Sequence, residues 1–176
     1  MRGESDLMRF SLAISALAAV LAVLALIAYR GDLANGAVPT CFGREATITS
    51  NQATVFGTDG PDVIVTGNAD NSVIAGGGND RVCLGPGKDF VRGDPGNDHL
   101  AGQGGADLIS GGSLDPKETG SGNDHIVGGR GNDELNGHDG DDVIKGGPGD
   151  DIIRGGPGHD TCDGGPGRDT IRGCEA

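Results

Sequence analysis

The chain has no tryptophan, one tyrosine, four phenylalanines and two methionines among its 176 residues. Aromatic side chains supply much of the apolar area that an ordinary globular core buries, so a core of that kind is not expected. Basic residues are also scarce. Thirteen Lys and Arg stand against 26 Asp and Glu, for a formal net charge of −13. Nucleic acid is therefore excluded as an expected partner, because phosphate binding needs a basic surface. The four cysteines include no C-x-x-C pair that would point to zinc or redox chemistry. No nucleophile–base–acid constellation is legible, and no enzyme is expected. Long apolar runs are absent with one exception.

That exception is Phe10 to Tyr29, uncharged, mostly Ala, Leu, Val and Ile, and flanked by Arg9 and Arg30. As a hydrophobic helix it is long enough to cross a bilayer. It is also longer than the usual apolar core of a signal peptide. Small residues follow at Ala34-Asn35-Gly36 and Ala37. Residues 1–37 read as a cleaved signal peptide or as an uncleaved membrane anchor. Either way residues 38–176 are exported, secreted or held at the cell surface. Membrane contact is expected only through this segment, if it is uncleaved. Arg2, Arg9 and Arg30 cancel Glu4, Asp6 and Asp32, so the acidic excess belongs to residues 38–176.

What the chain has in plenty is glycine: 36 residues, all but four of them from Gly57 onward. Such density without a period signals low complexity. Here there is a period. Gly146 to Arg172 reads G-G-P-G-D-D-I-I-R, G-G-P-G-H-D-T-C-D and G-G-P-G-R-D-T-I-R, one nine-residue unit three times. Its form is G-G-x-G-x-D-x-U-x, with U a large aliphatic residue. The unit Asp falls at Asp62, Asn71, Asp80, Asp89, Asp98 and Asp107, then at Asp124, Asp133, Asp142, Asp151, Asp160 and Asp169. Each step is nine except the one from Asp107 to Asp124, which contains an eight-residue insertion, about Ser113 to Gly120. Two residues after each position comes U: Ile64, Val73, Val82, Val91, Leu100, Ile109, Ile126, Leu135, Ile144, Ile153, Cys162 and Ile171.

A fixed short period is the signature of a solenoid. The x-U-x triplet suits a short strand with U pointing inward, and the six Gly-rich residues make a turn. Two units make one coil of about eighteen residues. Six coils stacked at about 4.8 Å form a two-sided parallel roll about 29 Å long. The fold expected is all-β, a parallel β-roll of residues 57–173, with 174–176 as its C-terminal end. Residues 38–56 are not repetitive. Thr47 to Thr49 and Ala53 to Phe56 read as short strands around the Ser50-Asn51-Gln52 turn, and the segment is taken as the cap that hides the first open rung.

Such a roll stacks carboxylates in two columns, where like charges repel. One line of aliphatic side chains per sheet is a thin core against the entropy of ordering so much glycine. A hard cation would reverse the sign of the columns. Calcium suits flexible all-oxygen sites, magnesium wants a tighter octahedron, and zinc wants Cys or His.

The unit resembles the haemolysin-type (RTX) calcium-binding nonapeptide repeat, and the resemblance covers about Gly57 to Gly173. It extends to small exported bacterial, actinobacterial-type repeat proteins through Cys41-Phe42-Gly43-Arg44-Glu45-Ala46-Thr47-Ile48, though less specifically. The resemblance implies a parallel β-roll with several calcium ions between turns that stack on one side. It implies that Asp62, Asp80, Asp89, Asp98, Asp107, Asp124, Asp133, Asp142, Asp151, Asp160 and Asp169 are side-chain ligands, with turn carbonyls completing each site. Departures are Asn71 and Ala69 in unit two, Thr58 in unit one, Ala75 in unit three and Leu84 in unit four. The insertion is expected to disturb sites on its side of the roll. Its Asp115 and Glu118 read as a solvated loop rather than as extra ligands. The regular turns at Gly128–Asp133 and Gly146–Asp169 are expected to bind most tightly.

Four cysteines in an exported chain suggest two disulfides, for which three pairings exist. Order along a rod favours Cys41–Cys83 and Cys162–Cys174. A buried free thiol is the alternative for Cys162, which occupies a U position. His99 and His125 hold equivalent places and are expected to be neighbours on one face. The function expected is calcium binding by an exported roll with a structural or adhesive role. An ice- or surface-binding rod is the first alternative. It needs a flat Thr or Asn ladder, whereas the residues beside U are Val63, Ser72, Arg81, Phe90, His99, Leu108, His125 and Glu134. A non-catalytic remnant of a repeat-bearing secreted enzyme or toxin is the second.

Overall fold

A computed structural model of the protein describes residues 38–113 and 122–175. The chain divides into two units, 1–38 and 39–176, and the description concerns the second. The hydrophobic helix expected near the N-terminus, Asp115 and Glu118 lie outside the described residues. Among the described residues there is no helix long and apolar enough to cross a membrane.

Two seven-stranded parallel sheets face each other. The first holds Ile48–Ser50, Val63–Thr66, Arg81–Cys83, His99–Gly104, His125–Arg130, Val143–Lys145 and Thr161–Asp163. The second holds Thr54–Phe56, Ser72–Ile74, Phe90–Arg92, Leu108–Ser110, Glu134–Asn136, Ile152–Arg154 and Thr170–Arg172. The chain alternates between them, so each strand pairs with the next but one. This is the all-β parallel β-roll that the nine-residue period implies.

Register follows the aliphatic position. Val55, Val73, Val91, Ile109, Leu135, Ile153 and Ile171 align on the second sheet. Ile48, Ile64, Val82, Leu100, Ile126, Ile144 and Cys162 align on the first. The interior is these two lines, and from Ile64 to Ile153 the U side chains are fully buried. A one-residue slip would turn every one of them outward, so each rung pins the next. The insertion leaves this intact: Ile126 pairs with Leu100 and Leu135 with Ile109. Both sheets continue in register across it.

Ahead of the repeats, Ile48–Ser50 and Thr54–Phe56 form the two short strands expected there and pair with the first repeat rung, which makes seven rungs where the repeats alone give six. Ahead of them a hairpin pairs Thr40–Cys41 with Arg44–Glu45. The Cys41–Cys83 disulfide ties it to the outer face of the first sheet. Cys162 pairs with Cys174, so no described cysteine is free. In the chain-entropy view these closures, 42 and 12 residues apart, are worth about 4 and about 3 kcal/mol.

Candidate metal columns

The Gly-rich turns stack on the two edges of the roll. One edge carries Asp62, Asp80, Asp98, Asp124, Asp142 and Asp160, here the Asp98 side. The other carries Asn71, Asp89, Asp107, Asp133, Asp151 and Asp169, the Asp107 side. All eleven predicted carboxylates thus fall into two columns, as the stacked nine-residue period implied.

Within a column each carboxylate reaches one coil back. On the Asp98 side, Oδ1 of Asp80, Asp98, Asp124, Asp142 and Asp160 accepts from the backbone N–H of Asp62, Asp80, Asp98, Asp124 and Asp142 at 2.8–2.9 Å. On the Asp107 side the same link joins Asn71 to Asp89, then Asp107, Asp133, Asp151 and Asp169, at 2.7–3.1 Å. The two links across the insertion, Asp98 N–H to Asp124 Oδ1 and Asp107 N–H to Asp133 Oδ1, both at 2.9 Å, match their neighbours. No disturbance of either column is visible there.

The second carboxylate oxygen is the informative one. Oδ2 of Asp80, Asp89, Asp98, Asp107, Asp124, Asp133, Asp142, Asp151 and Asp160 is buried and has no hydrogen-bond partner. Nine unpartnered carboxylate oxygens are far too many for a chain without a counter-ion, because each buried polar atom left unmade costs about 1–3 kcal/mol. Where the turn begins with glycine, that glycine explains where they point, whereas Ala75 and Leu84 hold the place before Asp80 and Asp89. A Cβ at Gly128 would collide with Asp133 Oδ2 while lying 2.8 Å from the Gly146 carbonyl oxygen. Carboxylate oxygen and next-coil carbonyl therefore converge beside a glycine that leaves room for them.

The column ends differ. Asp62 has no orphan oxygen, since it accepts from Thr58 N–H at 2.8 Å, Thr58 Oγ1 at 2.9 Å and Thr47 Oγ1 at 3.3 Å. Asn71 donates through Nδ2 to the Gln52 carbonyl at 2.8 Å. An Asp could not make that bond, which explains the departure at unit two. Asp169 closes the Asp107 side.

Burial raises the carboxyl pKa values, and like charges along each column add to it, while the backbone N–H bonds oppose it. Asp124 rises to about 8 and Asp98 to about 7. Asp80, Asp107 and Asp142 rise to about 6. Asp89, Asp133 and Asp151 shift the same way. Among the described residues no three His, Cys, Asp or Glu side chains gather as a metal cluster. The donor set is one carboxylate per turn plus carbonyl oxygens. That set is hard and all-oxygen, and it fits calcium better than zinc.

Two features escaped sequence reasoning. One is a second ladder at the position before the unit Asp. Asn97 N–H donates to Asn79 Oδ1, Asn123 to Asn97, Asp141 to Asn123 and His159 to Asp141, at 2.9–3.0 Å. It runs opposite to the Asp ladder. On the Asp107 side Lys88 and Ala106 interrupt it, leaving Lys88 N–H to Asp70 Oδ1, then Asp150 to Asn132 and Arg168 to Asp150. The recurrent Asn or Asp before the unit Asp was the available signal. The other feature is the second-glycine position, where Asp94, Gln103 and His138 adopt positive φ of 71°, 72° and 73°. Asp94 is held by Arg92, whose Nη2 donates to Oδ2 at 2.9 Å. His138 Nε2 accepts from Asn136 Nδ2 at 2.9 Å and lies 2.8 Å from Ser110 Oγ.

Comparison with known proteins agrees with this geometry. A family model described as the RTX calcium-binding nonapeptide repeat (4 copies) matches residues 56–91, 84–115, 118–151 and 137–171. No curated protein and no solved structure matches the chain.

Proposed function

The chain belongs to the RTX calcium-binding nonapeptide-repeat family, and from that premise we propose an exported, calcium-stabilised β-roll that serves as a structural or adhesive module outside the cell. RTX repeats indicate calcium binding in a β-roll, and calcium ions are the partner this supports. One observation carries the reading to the residues: nine buried carboxylates, each with one oxygen bonded to the coil before it and one with no partner. Asp80, Asp89, Asp98, Asp107, Asp124, Asp133, Asp142, Asp151 and Asp160 would hold the ions through Oδ2, together with the turn carbonyls. Asp169 would do so at the open end. Asp62, its oxygens already engaged by Thr47 and Thr58, is the weakest ligand of the proposed set. Export rests on the apolar run Phe10–Tyr29 and agrees with two disulfides, which persist in oxidising compartments.

The test is calcium titration of the full chain in mild detergent, followed by far-UV circular dichroism, with magnesium as the control. Conversion from a coil spectrum in chelator to a β spectrum in calcium, but not in magnesium, is expected. A β spectrum indifferent to chelator would overturn calcium-coupled folding.

A further inference from the structure

The carboxylates proposed to hold calcium lie in the turns. The outer face of the first sheet carries a different chemistry. His99 and His125 are paired in register on adjacent parallel strands. Their ring centres are 5.5 Å apart, with planes inclined by 31°. The Phe42 ring, from the disulfide-tied hairpin, packs against both, at 5.4 Å from His99 and 6.3 Å from His125. Nδ1 of His125 is buried and has no hydrogen-bond partner. Two half-buried imidazoles side by side with an unpartnered nitrogen are not explained by the calcium columns.

We propose that His99 and His125 form a two-imidazole site for a divalent transition-metal ion of the zinc, copper and nickel class. Imidazole nitrogen suits these ions, and carbonyl and carboxylate oxygen suits calcium. The spacing fits. A metal about 2.0 Å from an imidazole nitrogen lies about 3.2 Å from that ring's centre, so two imidazoles on one tetrahedral ion have centres about 5.2 Å apart. The observed 5.5 Å is within reach of small side-chain rotations. Solvent supplies the remaining ligands, because no third His, Cys, Asp or Glu joins the pair among the described residues. Arg81 is the register neighbour of His99 on the other side. Its positive charge bounds the site and opposes a cation there. The two strands so joined precede and follow the eight-residue insertion in sequence, so the ion would staple neighbouring coils on either side of it.

The experiment is isothermal titration of zinc into the full chain, purified without a polyhistidine tag, in mild detergent and saturating calcium. One zinc per chain is expected. His99→Ala and His125→Ala should each weaken binding at least tenfold, Arg81→Ala should tighten it, and His159→Ala should leave it unchanged. Copper should bind more tightly than zinc, and its electron paramagnetic resonance should report two nitrogen ligands. The calcium-loaded far-UV spectrum of each variant serves as the folding control. Absence of stoichiometric zinc uptake, or uptake that persists when both histidines are replaced, would overturn the site.

Discussion

The two edges of the roll are built from the same nine-residue unit, yet they differ. On the Asp98 side the inner Asp ladder is accompanied by an unbroken outer ladder from Asn79 to His159. On the Asp107 side that outer ladder is interrupted at Lys88 and Ala106. The steepest pKa rises, Asp124 to about 8 and Asp98 to about 7, both lie on the Asp98 side, one coil apart across the insertion. The most regular motifs, Gly128–Asp133 and Gly146–Asp169, lie largely on the other side. Regularity of the unit and electrostatic demand for a counter-ion are therefore separate properties. Demand is set by how deeply a coil is stacked and by the carboxylates above and below it.

The largest effect should come from a substitution that makes the two sides equal by destroying either. The fourth position of the unit lies against the carbonyl of the coil before it. A Cβ at Gly96 would overlap the Gly78 oxygen, and one at Gly105 the Gly87 oxygen, with φ of 151° and 133°. Gly96→Ala and Gly105→Ala should each cost more than about 4 kcal/mol and abolish the calcium-induced β spectrum. Gly104→Ala is the control, since its nearest contact is the Arg130 oxygen at 3.8 Å. Equal tolerance of all three would refute the close-stacked turn.

Next comes the C-terminal closure. Gly173 begins the turn that would continue the Asp98 side, and the disulfide of the next residue, Cys174, to Cys162 closes that side. The double replacement Cys162→Ser with Cys174→Ser should lower stability by about 3 kcal/mol in calcium, measured by urea unfolding. Amide exchange should accelerate first near Asp160 rather than Asp151.

Charge removal separates the sides more finely. Asn keeps an Oδ1 acceptor for the ladder but removes the buried charge. Asp124→Asn should raise the urea midpoint in chelator by more than Asp133→Asn does, and each should shift the calcium midpoint upward. A larger gain in chelator for Asp133→Asn would reverse the ranking of the two sides. The pH dependence has the same origin. These carboxyls have folded pKa values above the unfolded value, so the metal-free roll binds protons more tightly than the unfolded chain. Their contribution is fully present below about pH 4 and is lost as pH rises through about 6 to 8. In chelator, stability should fall over that window. Calcium needs the ionised form, so its apparent affinity should rise over the same window, with protons released on binding.

The smallest effect concerns the outer ladder. Asn123→Ala removes the acceptor for Asp141 N–H and Asn132→Ala the acceptor for Asp150 N–H. Each loses one hydrogen bond worth about 1 kcal/mol. Asn123→Ala should cost slightly more, because its ladder continues on both sides.

Much of this molecule was legible from its period. Spacing by nine assigned the strands, the inward residues and the two columns of carboxylates, because a solenoid repeats one local solution and each residue's surroundings recur with it. The neighbouring positions of His99 and His125, and the disulfides Cys41–Cys83 and Cys162–Cys174, followed from the same linear order. What the tertiary structure alone decided depends on contact between coils. Stacking kept the register across the insertion, since Ile126 pairs with Leu100 and Leu135 with Ile109. It made Ile48–Ser50 and Thr54–Phe56 a seventh rung in register with the repeats, because their apolar residues align with Ile64 and Val73. It divided each carboxylate into one oxygen bonded to the preceding coil and one left for a cation. A nonapeptide read alone has no coil before it, so its Asp has no partner to reveal that division.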